Sequence, residues 1–513
     1  MALLILYRNI LYALSLYTLF CLLLANTAAT LLDWHHQDWL NHGGDLHNRR
    51  YADKETKISP ESVSKLSLKW KFYAGNDITV TPAIFDGNLY FPSWNGYIYA
   101  LKASDGSLIW KKNLQKLTGL NATGVVLNVN WTVSRSTPTV AGDLLIIGIY
   151  GPAVVIAVER STGELVWSTR LDEHAASLIT MSGTYYQGAV YIGTSSLEEG
   201  LSVDQRCTFT GSLSKLNATS GAVLWQTFML PDNHGESGQY AGAAIWGSSP
   251  SIDCSRNHVY IATGNLYSVP LRVQQCQEKQ NNQTLPSHPD TCVEPDNLSD
   301  SIIALDLDSG KIKWYRQLGG YDVWFYACRN LSTLIRDIVV TVQKSGFAWA
   351  LDRDDGGLVW STEAGPGGLL GGGTWGGATD EERVYTNIAN SERKNFTLAP
   401  SEKTVNSGGW VAMDARSGRI LWSVADPGNA TANGPVSVAN GVVFAGSTEG
   451  KGPVYAIKAI TGEILWSYKT GATVYGGVSV SNGCIYIGSG YKVNLGVIFP
   501  SLTAGNSLFA FCV

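Results

Sequence analysis

The chain has 513 residues, of which 15% are charged, and it contains 55 glycines, 17 tryptophans and 24 tyrosines. This composition suits many short aromatic strands joined by tight glycine turns, and it excludes a fold built from long, charged surface helices. The net charge is −5 and no basic run occurs, which excludes a nucleic-acid-binding protein.

The first thirty residues have the features of a secretory signal. Arg8 precedes an apolar stretch over residues 10–25, and the small residues 27–29 follow it. We predict cleavage near this point, with residues 1–29 as the signal peptide and 30–513 as the mature chain. An uncleaved signal anchor is the alternative, because the stretch approaches the ~20 apolar residues that span a bilayer. No later segment of the sequence has this character, so we expect no membrane contact after cleavage.

The sequence contains further marks of a secreted glycoprotein. Eight Asn-x-Ser/Thr sequons occur, at Asn121, Asn130, Asn217, Asn282, Asn297, Asn330, Asn395 and Asn429. Removal of Cys21 with the signal leaves seven cysteines, enough for three disulfides and one free thiol. We predict a Cys276–Cys292 bridge that closes a hydrophilic loop. A Cys484–Cys512 bridge is predicted to tie the last residues to the preceding strands.

One unit recurs along the chain: alternating apolar residues, a turn that ends in glycine, three further residues and then tryptophan. Its seven complete copies end at Gly106 and Trp110, Gly163 and Trp167, Gly221 and Trp225, Gly310 and Trp314, Gly356 and Trp360, Gly418 and Trp422, and Gly462 and Trp466. The eighth copy is split between residues 507–511 and residues 66–70. The repeat predicts an all-β, eight-bladed β-propeller whose last blade joins the two ends of the chain.

The recurrent tryptophan is interpreted as a packing residue between neighbouring blades. The longest interval between two copies runs from Trp225 to Trp314 and contains a polar run and two cysteines. Such an insert indicates a surface excursion, so we expect residues 30–513 to form a single domain.

The repeat unit resembles that of the pyrroloquinoline quinone (PQQ) dehydrogenases, eight-bladed propellers that hold the quinone near their axis. The resemblance covers nearly the whole mature chain, including the opening segment 34–51. Within this family the sequence is similar to the polyvinyl-alcohol dehydrogenase-like group, through Ser195-Ser196-Leu197-Glu198-Glu199, Cys207-Thr208-Phe209, Trp246-Gly247-Ser248-Ser249-Pro250 and Thr263-Gly264-Asn265.

The resemblance implies a site for PQQ and Ca²⁺. Glu198, Asn265 and Asp322 match the calcium ligands, and oxygen donors of this kind are those that Ca²⁺ prefers. Either Glu198 or Glu199 could be the ligand, and an exposed loop glutamate is the alternative. Trp246 matches the tryptophan on which the quinone stacks, although it could equally be a core aromatic residue.

Three other residues are expected around the cofactor. Arg135 resembles the arginine that pairs with a quinone carboxylate, a role for which its planar fork is suited; a surface arginine is the alternative. Lys344 matches a lysine beside the quinone oxygens, and it interrupts an otherwise apolar strand, where a lone lysine needs an anion. Trp375, in a glycine-rich loop, would line the mouth of the site.

The implied function is that of a secreted or cell-wall oxidoreductase. Asp322 would take the proton of an alcohol, small or polymeric, while hydride passes from the carbinol carbon to PQQ. An external electron acceptor is needed, because the sequence has no Cys-x-x-Cys-His haem motif.

Some family features are missing. There is no adjacent cysteine pair to stack on the cofactor, and a second acidic position reads Phe325. The alternative is therefore a non-enzymatic secreted scaffold that has lost the quinone and binds a protein or glycan partner through its rim loops.

Overall fold

The structure, a computed structural model, describes residues 37–123, 129–198, 207–247, 249–281, 292, 296–319, 330–335, 337–368, 371–493 and 499–513, with the backbone alone for 281 and 330–335. The chain divides into two compact units, Met1–Gln37 and Asp38–Val513. The predicted signal peptide lies outside the described residues.

Two short strands and a 3₁₀ helix precede the first complete blade: β1 (Tyr51–Ala52), the 3₁₀ helix Val63–Lys65 and β2 (Ser67–Tyr73). Blade 1 comprises β3 (Ala83–Phe85), β4 (Asn88–Ser93), β5 (Tyr97–Lys102) and β6 (Leu108–Asn113), followed by helix α1 (Leu114–Thr118). Blade 2 comprises β7 (Thr139–Ala141), β8 (Leu144–Gly148), β9 (Val154–Glu159) and β10 (Leu165–Arg170).

Blades 3 and 4 each carry a small two-stranded ladder beside the main sheet. Blade 3 runs through β11 (Ser177–Leu178), β12 (Thr184–Tyr186), β13 (Ala189–Gly193), β14 (Ser195–Ser196), β15 (Ser212–Asn217) and β16 (Val223–Phe228), with β11 paired to β14. Blade 4 runs through β17 (Ala241–Gly242), β18 (Ser251–Asp253), β19 (His258–Ala262), β20 (Leu266–Ser268), α2 (Leu271–Asn281), β21 (Ser301–Asp306) and β22 (Ile312–Gln317), with β17 paired to β20.

Blades 5 to 7 follow the same order. Blade 5 has β23 (Asn330–Ile335), β24 (Ile338–Gln343), β25 (Phe347–Asp352) and β26 (Leu358–Glu363). Blade 6 has β27 (Ala378–Thr379), β28 (Arg383–Ile388), the ladder β29 (Phe396–Thr397) with β30 (Thr404–Val405), β31 (Gly409–Asp414) and β32 (Ile420–Ala425). Blade 7 has β33 (Ser437–Ala439), β34 (Val442–Gly446), β35 (Pro453–Lys458) and β36 (Ile464–Lys469), and β1 adds to it in parallel.

Blade 8 closes the ring with strands from both ends of the chain. Its order is β37 (Ser479–Ser481), β38 (Cys484–Gly488), β39 (Ser507–Cys512) and then β2, in antiparallel register from Ser67 opposite Cys512 to Tyr73 opposite Ser507. The predicted eight-bladed propeller and its split blade are confirmed. Both predicted disulfides are also confirmed, with Cα–Cα distances of 5.6 Å for Cys276–Cys292 and 4.1 Å for Cys484–Cys512.

The repeat tryptophans join each blade to the next. Each indole Nε1–H donates to a backbone carbonyl of the following blade at 2.9–3.2 Å: Trp70 to Ala103, Trp110 to Arg160, Trp167 to Ala218, Trp225 to Leu307, Trp314 to Arg353, Trp360 to Ala415, Trp422 to Ala459 and Trp466 to Leu66. Seven of these carbonyls lie three residues before a turn glycine, and the eighth belongs to Leu66, the residue before β2. The packing role predicted for the tryptophan is confirmed.

The turn glycine of the repeat is needed for its positive φ angle and because a side chain there would overlap the tryptophan. A pair of variants can separate these two reasons. Gly106 has φ +72°, and a Cβ there would lie 2.7 Å from the Trp70 ring. Gly87 has φ +70°, but no atom lies within 4 Å of its Cβ position. We expect Gly106→Ala to lower the free energy of unfolding by ~1–3 kcal/mol more than Gly87→Ala, through overpacking alone. Denaturant unfolding measures the difference, and equal losses would contradict the packing role.

Within the described ranges, the helices are too short or too polar to cross a membrane.

Candidate functional site

Buried aromatic side chains from many blades converge at one end of the propeller. These side chains lie in the connections that precede the first strand of a blade or follow its second strand. Because the first two strands of a blade are antiparallel, the start of the first and the end of the second lie at the same rim of the propeller. One cluster contains Trp94, Tyr150, Phe209, Trp246, Trp375, Tyr475 and Tyr491. The blades thus bring together residues that are hundreds of positions apart in sequence.

A small cavity lies beside this cluster. Its wall combines a cation, aromatic rings and small hydroxyl side chains, with His42, Thr79, Arg135, Thr137, Thr180, Ser182, Trp375 and Tyr475 among the lining residues. We refer to it as the axial cavity.

Arg135 is the cation of the axial cavity. It is 8% exposed, and its guanidinium carbon lies 4.0 Å from the ring centroid of Trp375, 5.1 Å from that of Tyr491 and 5.8 Å from that of Tyr475. The surface alternative for Arg135 is therefore wrong. In the described part of the chain no carboxylate forms an ion pair with it. A buried cation in this setting favours an anionic ligand.

Trp375 is fixed by the N-terminal segment. Its backbone has φ +64°, and its carbonyl oxygen accepts hydrogen bonds from His42 Nε2 at 2.9 Å and Arg50 Nη2 at 3.0 Å. Its indole nitrogen donates to the Tyr475 hydroxyl at 2.7 Å. These contacts hold a conformation that non-glycine residues seldom adopt, and they set the orientation of the ring against Arg135.

His42 is neutral in this arrangement. Burial, together with the nearby positive charges of Arg50 and Arg135, lowers the pKa of His42 to about 3. Nε2–H therefore donates to Trp375, and Nδ1 accepts from the Thr81 hydroxyl at 3.2 Å. Burial also lowers the pKa of Arg50, to about 9, against the opposing effect of Asp45.

The depressed pKa of His42 makes stability depend on pH. Below pH 6.5 the unfolded chain binds a proton here that the folded protein excludes down to about pH 3, so stability falls as pH falls through this range. His42→Gln keeps an N–H donor and removes the titration. Between pH 6.5 and pH 4, we expect the free energy of unfolding to fall by ~3 kcal/mol less in this variant than in the parent protein.

Denaturant unfolding at the two pH values measures this change, and His234→Gln is the matched control because the His234 side chain is 76% exposed. The same acid-induced loss in His42→Gln as in the parent would contradict the assignment.

Glu198 is fully buried in the β14–β15 connection of blade 3. Its Oε1 accepts from His174 Nε2 and from the Thr208 backbone N–H, each at 2.8 Å, while Oε2 accepts from the Phe209 N–H at 3.1 Å. Burial acts to raise the pKa of Glu198, but these hydrogen bonds outweigh it and the pKa lies below its ordinary value. Glu198 is therefore a carboxylate, and Oε2, with one hydrogen bond from the described residues, can still bind a cation.

The other predicted site residues that the structure describes lie in blades 4 and 5. Asn265 is buried between β19 and β20, and its backbone carbonyl accepts from the Ala243 N–H at 2.9 Å. Trp246 is buried in the aromatic cluster, and its carbonyl accepts from the Thr180 hydroxyl, which lines the axial cavity. Lys344 is 4% exposed after β24. Asp322 lies outside the described residues.

The donors present suit the cofactor and metal that the sequence predicts. A buried, carboxylate-free arginine beside flat rings fits an acidic planar molecule such as PQQ. Glu198 and Asn265 offer the hard oxygen atoms that Ca²⁺ prefers. Over the described ranges no three His, Cys, Asp or Glu side chains form a metal site. A third ligand would have to come from elsewhere in the chain, and the carboxylate of Asp322 is the predicted one.

Sequence reasoning missed His42, Arg50, His174, Tyr475 and Tyr491. His42 and Arg50 fall in the opening segment 34–51. The similarity of this segment to the family is the signal that could have identified them as site residues. The remaining three stand in connections without a recognisable motif.

The fold is an eight-bladed propeller built from PQQ-type repeats, and comparison with known proteins agrees. A PQQ-repeat family model described as outer membrane protein assembly factor BamB matches residues 61–316, 210–368 and 407–505. The chain therefore belongs to this family of PQQ-repeat β-propellers.

Its relatives include named dehydrogenases. The chain is 28% identical over 493 residues to polyvinylalcohol dehydrogenase of Pseudomonas sp, covering 85% of this chain and 68% of that protein. It is 23% identical over 532 residues to quinohemoprotein alcohol dehydrogenase of Comamonas testosteroni, covering 85% and 70%. The crystal structure of the latter enzyme has a TM-score of 0.69 at 20% identity, covering 93% of this chain and 80% of that one. The resemblance stated from the repeat is confirmed.

Proposed function

We propose that the protein oxidises an alcohol with PQQ as hydride acceptor and Ca²⁺ as the assisting metal. The observation that carries this proposal is Arg135, a buried cation on the wall of the axial cavity whose described neighbours include no carboxylate partner. Similarity to relatives named as polyvinylalcohol and quinohemoprotein alcohol dehydrogenases supports the same reaction class.

The chain's own residues would divide the work as follows. Arg135 and Lys344 would bind the acidic groups and oxygens of the cofactor, and Trp246 and Trp375 would provide its aromatic contacts. Glu198, Asn265 and Asp322 would hold the metal. When bound, PQQ would supply the hydride acceptor and Ca²⁺ would polarise it.

Asp322 would also act as general base. One of its carboxylate oxygens would accept the proton of the substrate hydroxyl, which is what an alcohol must lose as its carbon is oxidised. Electrons would then leave to an external acceptor.

We further propose that residues 1–29 are removed on secretion and that residues 30–513 act as one domain outside the cell. The Cys276–Cys292 and Cys484–Cys512 disulfides support an oxidising compartment.

A dye-reduction assay tests the reaction. Purified protein with PQQ, CaCl₂ and a panel of primary and secondary alcohols is expected to reduce the dye only when cofactor, metal and alcohol are all present. EDTA should abolish the rate. Dye reduction by no alcohol, or dye reduction without PQQ, would contradict the proposal; the former would favour a scaffold that binds a partner instead.

A further inference from the structure

The Asn-x-Ser/Thr sequons differ in how far the fold exposes them. Four of them have an exposed asparagine: Asn121, Asn130, Asn395 and Asn429. In contrast, Asn217 is half-buried and Asn297 is 2% exposed. The side chains of Asn282 and Asn330 lie outside the described residues. An N-linked oligosaccharide is bulky and polar and has to stand in solvent, so the folded protein can carry one only on an exposed asparagine.

The four exposed asparagines lie at the rim of the propeller that carries the candidate site, which we call the site rim. Asn121 and Asn130 are in the connection from β6 of blade 1 to β7 of blade 2. Asn429 is in the connection from β32 of blade 6 to β33 of blade 7, and Asn395 follows β28, the second strand of blade 6. Connections that enter a first strand or leave a second strand lie at the same end of antiparallel blades.

Both pairs of asparagines are close to the site. Trp131, the middle residue of the second sequon, donates its Nε1–H to the carbonyl of Trp94 in the aromatic cluster at 2.9 Å. Arg393 Nη1 donates to the Asn429 carbonyl at 2.6 Å, and Arg393 lines a cleft that shares Tyr475 with the axial cavity. Blades 3 to 5 separate the two pairs on one side of the ring, and blades 7 and 8 separate them on the other.

The other two sequons with described side chains are held in the fold. Asn297 is buried in blade 4, where its Oδ1 accepts from the Ser299 N–H at 3.1 Å. Asn217 ends β15, and its Oδ1 accepts from the Thr219 and Ser220 N–H groups, each at 3.0 Å, in the turn to β16. This turn joins a third strand to a fourth, so it lies at the opposite rim. An oligosaccharide could not be buried at the first position and would crowd the turn at the second.

We propose that N-linked oligosaccharides at Asn121, Asn130, Asn395 and Asn429 form a fence on the site rim, which keeps protein-sized molecules away and lets small molecules pass. At each position the asparagine Nδ2 forms a bond to C1 of a sugar, and the bond from C1 to the pyrophosphate of a lipid-linked donor breaks. The amide loses one proton as the lipid pyrophosphate leaves. This inference rests on the proposed secretion, because sequons receive oligosaccharides in the secretory pathway, and it is independent of alcohol oxidation.

Mapping of the modified asparagines tests where the oligosaccharides are. The full chain is expressed in mammalian cells, collected from the medium and treated with peptide N-glycosidase F in heavy-oxygen water, which marks each formerly modified asparagine for mass spectrometry. We expect the mark at the four exposed asparagines and none at Asn217 or Asn297. Asn395→Gln should lower the mass of the secreted protein by one oligosaccharide, and the control Asn217→Gln should leave the mass unchanged.

A mark at Asn217 or Asn297 would overturn the fence, and so would a secreted protein in which both members of either exposed pair are unmarked. Protein that stays inside the cells without sugar would contradict the proposed secretion and the fence with it. Secreted protein with the wrong pattern would contradict the fence alone.

Screening by the fence is tested at Lys451, an exposed residue on the site rim in blade 7. Its connection packs against that of Asn429, because the Thr448 N–H donates to the Thr431 carbonyl at 3.2 Å. Removal of the oligosaccharides from the folded protein should speed trypsin cleavage after Lys451 several-fold. Acetylation of Lys451 by a small reagent should be equally fast with and without them. The control is Arg416, which is exposed in a turn at the opposite rim.

Trypsin cleavage at the control position should be the same in both forms of the protein. Equal trypsin cleavage after Lys451 in both forms, or acetylation that is slowed as strongly as cleavage, would overturn the screening by size.

Discussion

Replacing Arg135 by methionine is expected to weaken PQQ binding by roughly 30- to 5,000-fold, the cost of removing one partner of a buried charge pair. The guanidinium carbon lies 4.0 Å from the Trp375 ring centroid and the side chain is 8% exposed, so solvent screens a charge pair there only weakly. Arg135→Lys keeps the charge but loses the planar fork, and its affinity should lie between those of Arg135→Met and the parent.

Fluorescence titration with PQQ measures these affinities. Arg170→Met is the control, because the Arg170 side chain is 40% exposed and pairs only with the exposed Glu173 among its described neighbours. Parent-like affinity in a folded Arg135→Met protein would remove Arg135 from the cofactor site.

Asp322→Asn is expected to lower kcat by roughly 10²- to 10⁴-fold, which is the usual contribution of a general base. The amide keeps the shape of the side chain and one oxygen atom that can bind the metal, but it cannot accept the substrate proton. PQQ affinity should therefore stay within a few-fold of the parent. Dye reduction gives kcat and fluorescence titration gives the affinity.

The control for this variant is Asp143→Asn, since the Asp143 side chain is fully exposed and pairs only weakly with Arg160 at 3.6 Å. Retention of more than a tenth of the parent kcat in Asp322→Asn would exclude Asp322 as the base.

The fold could be predicted from the sequence because its determinants repeat. Seven of the repeat tryptophans each pack against the turn glycine of the next blade, so one physical requirement is written into the sequence seven times. Even the split blade could be predicted, because residues 507–511 match the first half of the repeat unit and residues 66–70 match the second half. The residue-to-residue contacts between blades, such as Trp466 with Leu66, needed the three-dimensional structure.

The site was only partly predictable, because its residues do not repeat. The resemblance to the family predicted Arg135 and Glu198 as site residues, and the structure shows that both are buried. It did not reveal that Trp375 is held by His42 and Arg50, which lie more than 300 positions earlier in the chain.

The central claim is the proposed quinone site, in a sequence that lacks the adjacent cysteine pair of many quinone dehydrogenases. Titration of the purified, cofactor-free protein with PQQ in the presence of Ca²⁺ tests it most directly. We predict saturable quenching of tryptophan fluorescence at one PQQ per chain, weakened by EDTA and by Arg135→Met. Quenching that fails to saturate, or that is unchanged in Arg135→Met, would contradict the account.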